Sequence, residues 1–222
     1  MFEQELLTED FSLKQVNRKG GRVYVDEDNN EYPSITSVLS ILSEAGIKAW
    51  RARVGEEEAN RVSSRAIKRG NTVHSMIENY IMNKEVDHTD LISTQNFKDI
   101  QPVIDGSLSK VYAIEKRLYS KHLWVAGTVD CVGEWDGQRA IIDWKTSAKF
   151  KKKEWVHSYF MQACAYSIMW EELTKQPITQ LVVAIASDEG PQVFTEHRDN
   201  WDQNLISVIN DYKTRKRLKW KK

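Results

Sequence analysis

The pattern of apolar and polar residues is most informative between residues 125 and 147, where two largely apolar segments flank Asp136 and Gly137. An Asp-Gly pair is typical of a two-residue type I′ turn, which connects two adjacent antiparallel strands. In such a turn Trp135 faces Gln138, and this pairing fixes the register of both strands. The pattern therefore predicts a β-hairpin in which each residue has a defined partner.

This register places charged residues opposite each other within the hairpin. Asp130 faces Asp143, and Lys145 points to the same face because it lies two residues beyond Asp143. Directly opposed residues have Cβ atoms roughly 4.5–5.5 Å apart, so two carboxylates there are destabilising unless another group offsets their charge. Either a cation joins the two acids, or the hairpin lies at the surface with its acids in solvent.

A divalent cation between the acids would point to a specific chemistry. Carboxylate oxygens suit Mg²⁺ or Mn²⁺. A metal ion can lower the pKa of a bound water and neutralise a phosphodiester oxygen, and a nearby lysine can stabilise the developing charge. The hairpin therefore indicates metal-assisted phosphodiester hydrolysis, with Asp130, Asp143 and Lys145 as the catalytic residues.

Elsewhere the pattern predicts helices that precede and follow a set of strands. Strands are expected within 22–32 and at 111–119, 180–186 and 192–196. Helices are expected at 33–42, 99–109, 154–172 and 199–216, and at 47–83 in two or three pieces divided by Gly55 and Gly70, while 84–98 is expected to be a loop. The predicted fold is a single α/β domain over 1–222, with a helical lobe at about 33–83, a core at about 70–200 and a C-terminal helix and basic tail at 199–222.

Composition excludes several classes of protein. The chain has 222 residues, of which 41% are hydrophobic, so it can bury a sizeable core. No apolar run approaches the roughly 18 residues of a membrane span, and the acidic start MFEQELLTEDF resembles neither a signal peptide nor a transit peptide. We therefore expect a cytoplasmic protein of a phage or bacterium that has no membrane partner. The two cysteines, Cys131 and Cys164, are expected to be buried thiols.

The net charge is zero, with 32 basic and 32 acidic residues, so the chain lacks a general basic field for nucleic acid. Lysines nevertheless cluster between 145 and 153, and the segment 213–222 is basic. Such local patches can bind phosphates even in a neutral protein. The alternative is that they are solvated loops and a fraying tail, and the sequence leaves both open.

Four motifs in order resemble the PD-(D/E)XK nuclease superfamily. Its core motif is an acid on one strand followed by acid–any–lysine on the next, here Asp130 and then Asp143-Trp144-Lys145, although Val129 replaces the proline. The segments GNTVHSMIENYI (70–81) and MQACAYSIMW (161–170) resemble the G-x-x-x-H and Q-x-x-x-Y helices of RecB-type nucleases. The segment YPSITSVLSIL (32–42), with a tryptophan downstream at 50, resembles mitochondrial genome maintenance exonucleases and related phage exonucleases.

This resemblance implies a restriction-endonuclease-like fold, in which a central mixed β-sheet is flanked by helices. It also implies a Mg²⁺ or Mn²⁺ site formed by His74, Asp130, Asp143 and the backbone carbonyl of Trp144. The four-cysteine cluster of some relatives is missing, so we expect no iron–sulfur cluster.

Other residues have roles that the sequence leaves open. Glu78 shares a helix face with His74 and is either a ligand through water or a partner that orients the histidine. Gln162 and Tyr166 either contact a phosphate or base, orient Lys145, or pack as ordinary helix residues. Glu115 is either an acid that supports the site or a solvated strand residue. Candidate DNA contacts are Lys149, a stacking Trp50 and the lobe cations Arg51, Arg53, Arg61, Arg65, Lys68 and Arg69.

The sequence therefore predicts a metal-dependent DNA exonuclease that acts on single strands or DNA ends, in replication, recombination or repair. A replication or recombination protein is a candidate partner. Two alternatives remain: a nuclease that resects double-strand ends during recombination, and a non-catalytic nucleic-acid-binding module on a nuclease fold.

Overall fold

Six strands form a central mixed sheet, in the spatial order β1-β5-β6-β7-β8-β9. The structure, a computed structural model, describes residues 1–18 and 21–220, with side chains up to residue 215. β1 runs parallel to β5 and β7 runs parallel to β8, while the other neighbours are antiparallel. The strands are β1 (Glu3–Gln4), β5 (Leu108–Ser120), β6 (Val125–Trp135), β7 (Gln138–Ser147), β8 (Gln180–Ser187) and β9 (Gly190–His197).

The predicted hairpin is formed by β6 and β7, and its register is confirmed. Pairing runs from Trp135 opposite Gln138 to Cys131 opposite Ile142. Asp136 and Gly137 have φ angles of 51° and 77°, and positive φ at both positions is what a type I′ turn requires. The next positions along the two strands are Asp130 and Asp143, so the turn aligns the two acids.

Helices cover both faces of the sheet. The connection from β7 to the parallel β8 passes through α5 (His157–Thr174), which packs with α1 (Ile35–Leu39) and α6 (Asp202–Trp220) on one face. The other face is covered by α3 (Glu56–Ile81) and α4 (Leu91–Ser107). This α/β arrangement confirms the predicted fold class.

The lobe helices are α2 (Glu44–Val54) and the first half of α3. α2 buries none of its residues against the described part of the chain. Gly55 separates the two helices, as predicted, with a φ of 87°. The predicted break at Gly70 is wrong, because α3 continues through it to Ile81. An interior glycine costs a helix only about 1 kcal/mol, and the second half of α3 is held by burial of its apolar face on the sheet.

The expected loop at 84–98 is also wrong in its second half, because α4 begins at Leu91 and not near 99. Its N-cap is Asp90, whose side chain accepts a hydrogen bond from the Ser93 N–H at 2.8 Å. The apolar Leu91 is exposed and the polar Asn96 is buried, so the side chains that α4 buries here are not the ones that their polarity would indicate. Hydrophobic periodicity therefore gives the wrong signal at this helix start.

A small antiparallel sheet precedes α1 and consists of β2 (Lys14–Arg18), β3 (Gly21–Val25) and β4 (Glu31–Pro33). β3 and β4 confirm the strands expected within 22–32. β2 was not predicted, because its residues are mostly exposed and show no apolar alternation. Tyr24 and Tyr32, both fully buried, pack this sheet against Ala126 of β6.

Across the described residues, no helix is long and apolar enough to span a membrane. The predicted C-terminal helix is confirmed as α6, but the side chains of 216–220 and all of 221–222 lie outside the described residues. The predicted nucleic-acid contact of the basic tail therefore falls mostly outside them. The division into lobe, core and tail within one domain stays a prediction.

Candidate active site

A cleft of about 680 Å³ opens where α3 and α5 meet β5, β6 and β7. The cleft is lined by seven of the candidate residues, namely His74, Glu78, Glu115, Asp130, Lys145, Gln162 and Tyr166, whereas Asp143 is not among its lining residues. The seven come from five different elements. The fold therefore brings together the residues that the separate motifs singled out.

Asp130 is the link between the hairpin and α3. Its Oδ2 atom accepts a hydrogen bond from the backbone N–H of Trp144 at 2.9 Å, and it lies 3.8 Å from Nδ1 of His74. The backbone of Trp144 also lies close enough to the His74 imidazole to favour the protonated form of the histidine and so oppose the lowering of its pKa. The side chain of Trp144 points away from the cleft into the core, where its ring packs 6.0 Å from that of Trp135. The backbone of Trp144 thus lies close to both Asp130 and His74, two of the predicted metal ligands.

Asp143 and Lys145 form an ion pair beneath the cleft. Nζ of Lys145 lies 2.5 Å from Oδ2 of Asp143, whose side chain is only 1% exposed. Beyond this ion pair, the two Asp143 oxygens lack a hydrogen-bond partner among the described residues. A buried carboxylate with unfilled acceptor sites is costly unless a cation or donor completes it.

Burial dominates the electrostatics of these groups. It raises the pKa of Asp143 to about 6 despite the opposing effect of Lys145, and it also raises the pKa of Asp130. Burial lowers the pKa of His74, with Lys145 adding to the effect, so the imidazole is held neutral. Burial disfavours the charge of Lys145 as well, but Asp143 and Asp130 outweigh it and raise its pKa. At neutral pH the lysine is charged and the histidine is free to ligate.

Glu115 lies directly against this group. Its neighbours in β5, Ile114 and Lys116, pair with Cys131 and Val129, so Glu115 faces Asp130 across the two strands. Its backbone has a φ of 47°, which is unfavourable for a residue with a side chain. Glu115 keeps an open path to solvent at the cleft, yet crowding by protein, followed by Asp130 and Glu78, raises its pKa to about 7. Of the two readings that the sequence left open, the structure favours an acid that belongs to the site.

The donor set fits a divalent cation. One ligand atom each from His74, Glu115 and Asp130 lie within 4.8 Å of one another. Asp143 is not part of this group and is paired with Lys145 instead. The group combines two carboxylates with one neutral imidazole. Such a set suits Mg²⁺ or Mn²⁺, with the imidazole favouring Mn²⁺. The identity of the ion stays a prediction.

Gln162 and Tyr166 form one layer of the cleft wall. The Gln162 amide donates to the Tyr166 hydroxyl at 3.3 Å. The Tyr166 ring lies so close to β6 that a Cβ added to Gly127 would come within 2.7 Å of it. The glycine therefore makes room for the tyrosine, and the tyrosine positions the glutamine at the cleft. Contact of either residue with a phosphate stays a prediction.

The predicted DNA contacts in the lobe, together with Lys149, are not among the residues that line the described cleft. Arg69 forms an ion pair with Asp188, in the turn between β8 and β9, at 2.8 Å. Lys149 is exposed and its backbone carbonyl accepts from Ser147 Oγ at 2.6 Å. In the lobe, Arg51 pairs with Glu56 and Arg61 pairs with Glu58. Exposed pairs of this kind contribute little energy and can exchange for phosphate, so these contacts stay predictions.

Sequence reasoning missed several residues of the cleft, and Arg22 is the charged one among them. Arg22 of β3 lines it together with Thr128 of β6. Both lie outside the four motifs, and Arg22 is more than 100 positions from the hairpin acids in the sequence. No local pattern marks it, because its position depends on how the small sheet packs against β6.

The two cysteines are buried free thiols, as predicted. Burial raises the pKa of the Cys164 thiol to about 12, so it stays protonated at neutral pH. Both thiols are therefore packing residues in a reduced form.

Fold and site together define a class of protein. The chain belongs to the PD-(D/E)XK nuclease superfamily, whose family model matches residues 56–214. This range contains α3, the hairpin and α5, and therefore every catalytic and metal-binding residue predicted above. The superfamily supports a hydrolytic nuclease role.

The chain is also similar to curated proteins named mitochondrial genome maintenance exonuclease 1. It is 27% identical to the human protein over 151 residues, which are 62% of this chain and 43% of that protein. It is 24% identical to the Xenopus tropicalis protein over 216 residues, or 87% of this chain and 60% of that protein. The chain thus spans about half the length of these relatives.

Proposed function

We propose that this chain is a divalent-metal-dependent deoxyribonuclease that acts as an exonuclease on single-stranded DNA or DNA ends. One observation carries the proposal: His74, Asp130 and Lys145 line one cleft, and Asp143 lies beneath it, paired with Lys145. Burial keeps the histidine neutral, while Asp143 and Asp130 keep the lysine charged. The names of the relatives support exonuclease action, and the superfamily supports phosphodiester hydrolysis. Replication, recombination or repair is the proposed setting.

In this proposal the ion is Mg²⁺ or Mn²⁺, held by His74, Asp130, Asp143 and the Trp144 carbonyl, with Glu115 beside them. When bound, such an ion supplies positive charge at a phosphate oxygen and acidifies a water molecule. The protein's own residues perform the remaining tasks. Lys145 holds a fixed positive charge where negative charge develops, and Asp143 keeps that lysine in place. Asp130 fixes the backbone of Trp144 through their hydrogen bond.

The lobe supports the exonuclease part of the proposal. α2 and the first half of α3 carry exposed cations, α3 reaches the cleft lining at Ile67, and α2 is not packed into the core. A cationic arm of this kind suits the backbone of a single strand. We infer that a strand reaches the cleft by passing its end beneath the lobe.

The test is a cleavage assay with linear single-stranded DNA labelled at either end, in Mg²⁺, in Mn²⁺ and in EDTA. We expect metal-dependent shortening from one end and none with Lys145→Ala. A circular single strand of the same sequence should resist. Efficient cutting of circles would replace the exonuclease by an endonuclease, and tight binding without cleavage in either metal would favour a binding module.

A further inference from the structure

Arg22 is the unexplained residue of the cleft. Besides Lys145, it is the other cation among the described cleft-lining residues, which also include Glu78, Glu115 and Asp130. Lys145 is already paired with Asp143. Arg22 is exposed, and its guanidinium has no hydrogen bond or ion pair with any residue that the structure describes. The cleft therefore contains one cation whose charge is available to a ligand.

The backbone of Arg22 is held in place from several directions. Its carbonyl accepts from the Ser34 N–H at 2.9 Å, and Ser34 also bridges to Ala126 of β6. Tyr24, which lies two residues along β3 from Arg22 and is fully buried, shares a hydrogen bond with Thr128 Oγ1 at 3.0 Å. These contacts join β3 to the strand that carries Asp130, only two residues beyond Thr128. The backbone of Arg22 is thus held beside the strand that carries Asp130.

A second arginine of the same small sheet, Arg18, lies away from the cleft and serves as a comparison. Arg18 of β2 forms an ion pair with Glu31 at 2.5 Å, on the exposed surface. Arg22 has no such acid partner among the described residues. The difference matters because an arginine at a cleft of acids, left without a partner, is suited to an anion that arrives with the substrate.

We propose that Arg22 binds a phosphate of the nucleic-acid strand, next to the phosphate that is hydrolysed. The small sheet would thereby form one wall of the active site. The ligand class is a backbone phosphodiester, which the guanidinium fork can contact with two hydrogen bonds. This inference rests on the proposed nuclease function. Arg22 is a substrate-positioning residue, and the metal is held without it.

The experiment measures binding of a fluorescent single-stranded oligonucleotide to the full chain with Lys145→Ala, in Ca²⁺, over a series of salt concentrations. Adding Arg22→Ala should raise Kd about tenfold and reduce the slope of log Kd against log salt by about 0.7, the value for one lost phosphate contact on a single strand. Arg22→Lys keeps the charge but not the fork, so it should retain the salt slope with an intermediate Kd.

Arg18→Ala is the matched control and should leave both Kd and slope unchanged. Thermal unfolding and Mn²⁺ affinity should be the same for all variants, because Arg22 is exposed and is not a ligand. Equal effects of Arg22→Ala and Arg18→Ala would overturn the inference, as would an Arg22→Ala variant that loses Mn²⁺ affinity but keeps its salt slope.

Failure of the proposed function looks different. If the chain with Lys145 intact cleaves DNA while Arg22→Ala binds normally, only the inference is wrong. If the intact chain neither cleaves nor binds nucleic acid under any metal condition, the proposed function is wrong and the phosphate role of Arg22 is wrong with it.

Discussion

The two ends of the β6–β7 hairpin follow opposite rules. At the turn end, Asp136 and Gly137 adopt the positive φ angles that their residue types tolerate, and the strands pair regularly. At the other end, the half-buried Asp130 and the buried Asp143 have raised pKa values, and Glu115 adds a third acid on a strained backbone. One end satisfies local preferences, while the other violates them within the same pair of strands. Such a violation is expected where function, and not stability, selects the residues.

The largest expected effect is at the site end. Lys145→Ala should reduce the rate of metal-dependent DNA cleavage by about 100-fold or more, because it removes a fixed charge from the point where negative charge develops. The measurement is single-turnover cleavage at saturating enzyme. Lys98→Ala, which removes an exposed lysine from α4, should cleave normally. Cleavage by Lys145→Ala at the normal rate would exclude the lysine from the chemistry.

The affinity for a metal ion at the site end of the hairpin should depend on pH. Asp143 and Glu115 have raised pKa values of about 6 and about 7, and a carboxyl must lose its proton to ligate. Mn²⁺ affinity should therefore rise about tenfold or more between pH 5.5 and pH 8. Calorimetry at the two pH values measures this. An affinity that is the same at both would mean that neither carboxyl titrates on metal binding.

At the turn end the expected effect is on stability alone. Gly137→Ala places a side chain at a φ of 77° and should lower the free energy of unfolding by about 1 kcal/mol, with cleavage per folded molecule unchanged. Gly106→Ala is the opposite control. Gly106 lies within α4, where an added Cβ meets no atom within 4 Å, so alanine should stabilise the helix. Denaturant unfolding of both variants tests the pair, and a loss of cleavage in Gly137→Ala would contradict the separation of the two ends.

The same contrast explains what the sequence could predict. The turn and register follow from Asp136-Gly137 alone, and the register then places Asp130 opposite Asp143. The start of α4 could not be predicted by the same means, because Leu91 is exposed and Asn96 is buried by tertiary packing. Arg22 enters the cleft only because Tyr24 packs the small sheet on β6. Local patterns thus predict elements and motif residues, whereas residues placed by contacts between distant elements need the structure.

The smallest expected effect concerns the stability of the metal-free protein. The pKa of Glu115 in the folded protein, about 7, lies above the value of roughly 4.3 in an unfolded chain, so the folded state binds more protons between these values. Stability contributed by the protonated carboxyl is therefore lost as pH rises through this window.

Glu115→Gln should remove this loss of stability and raise Tm slightly at pH 8 in EDTA, with little change at pH 4.5. The gain is small because solvent at the cleft screens the charge. Glu57→Gln, an exposed acid of α3, should change Tm equally little at both pH values. If Glu115→Gln instead lowers Tm at pH 8 without metal, the glutamate stabilises the fold, and the contrast between a stabilising turn end and a destabilised site end does not hold at this residue.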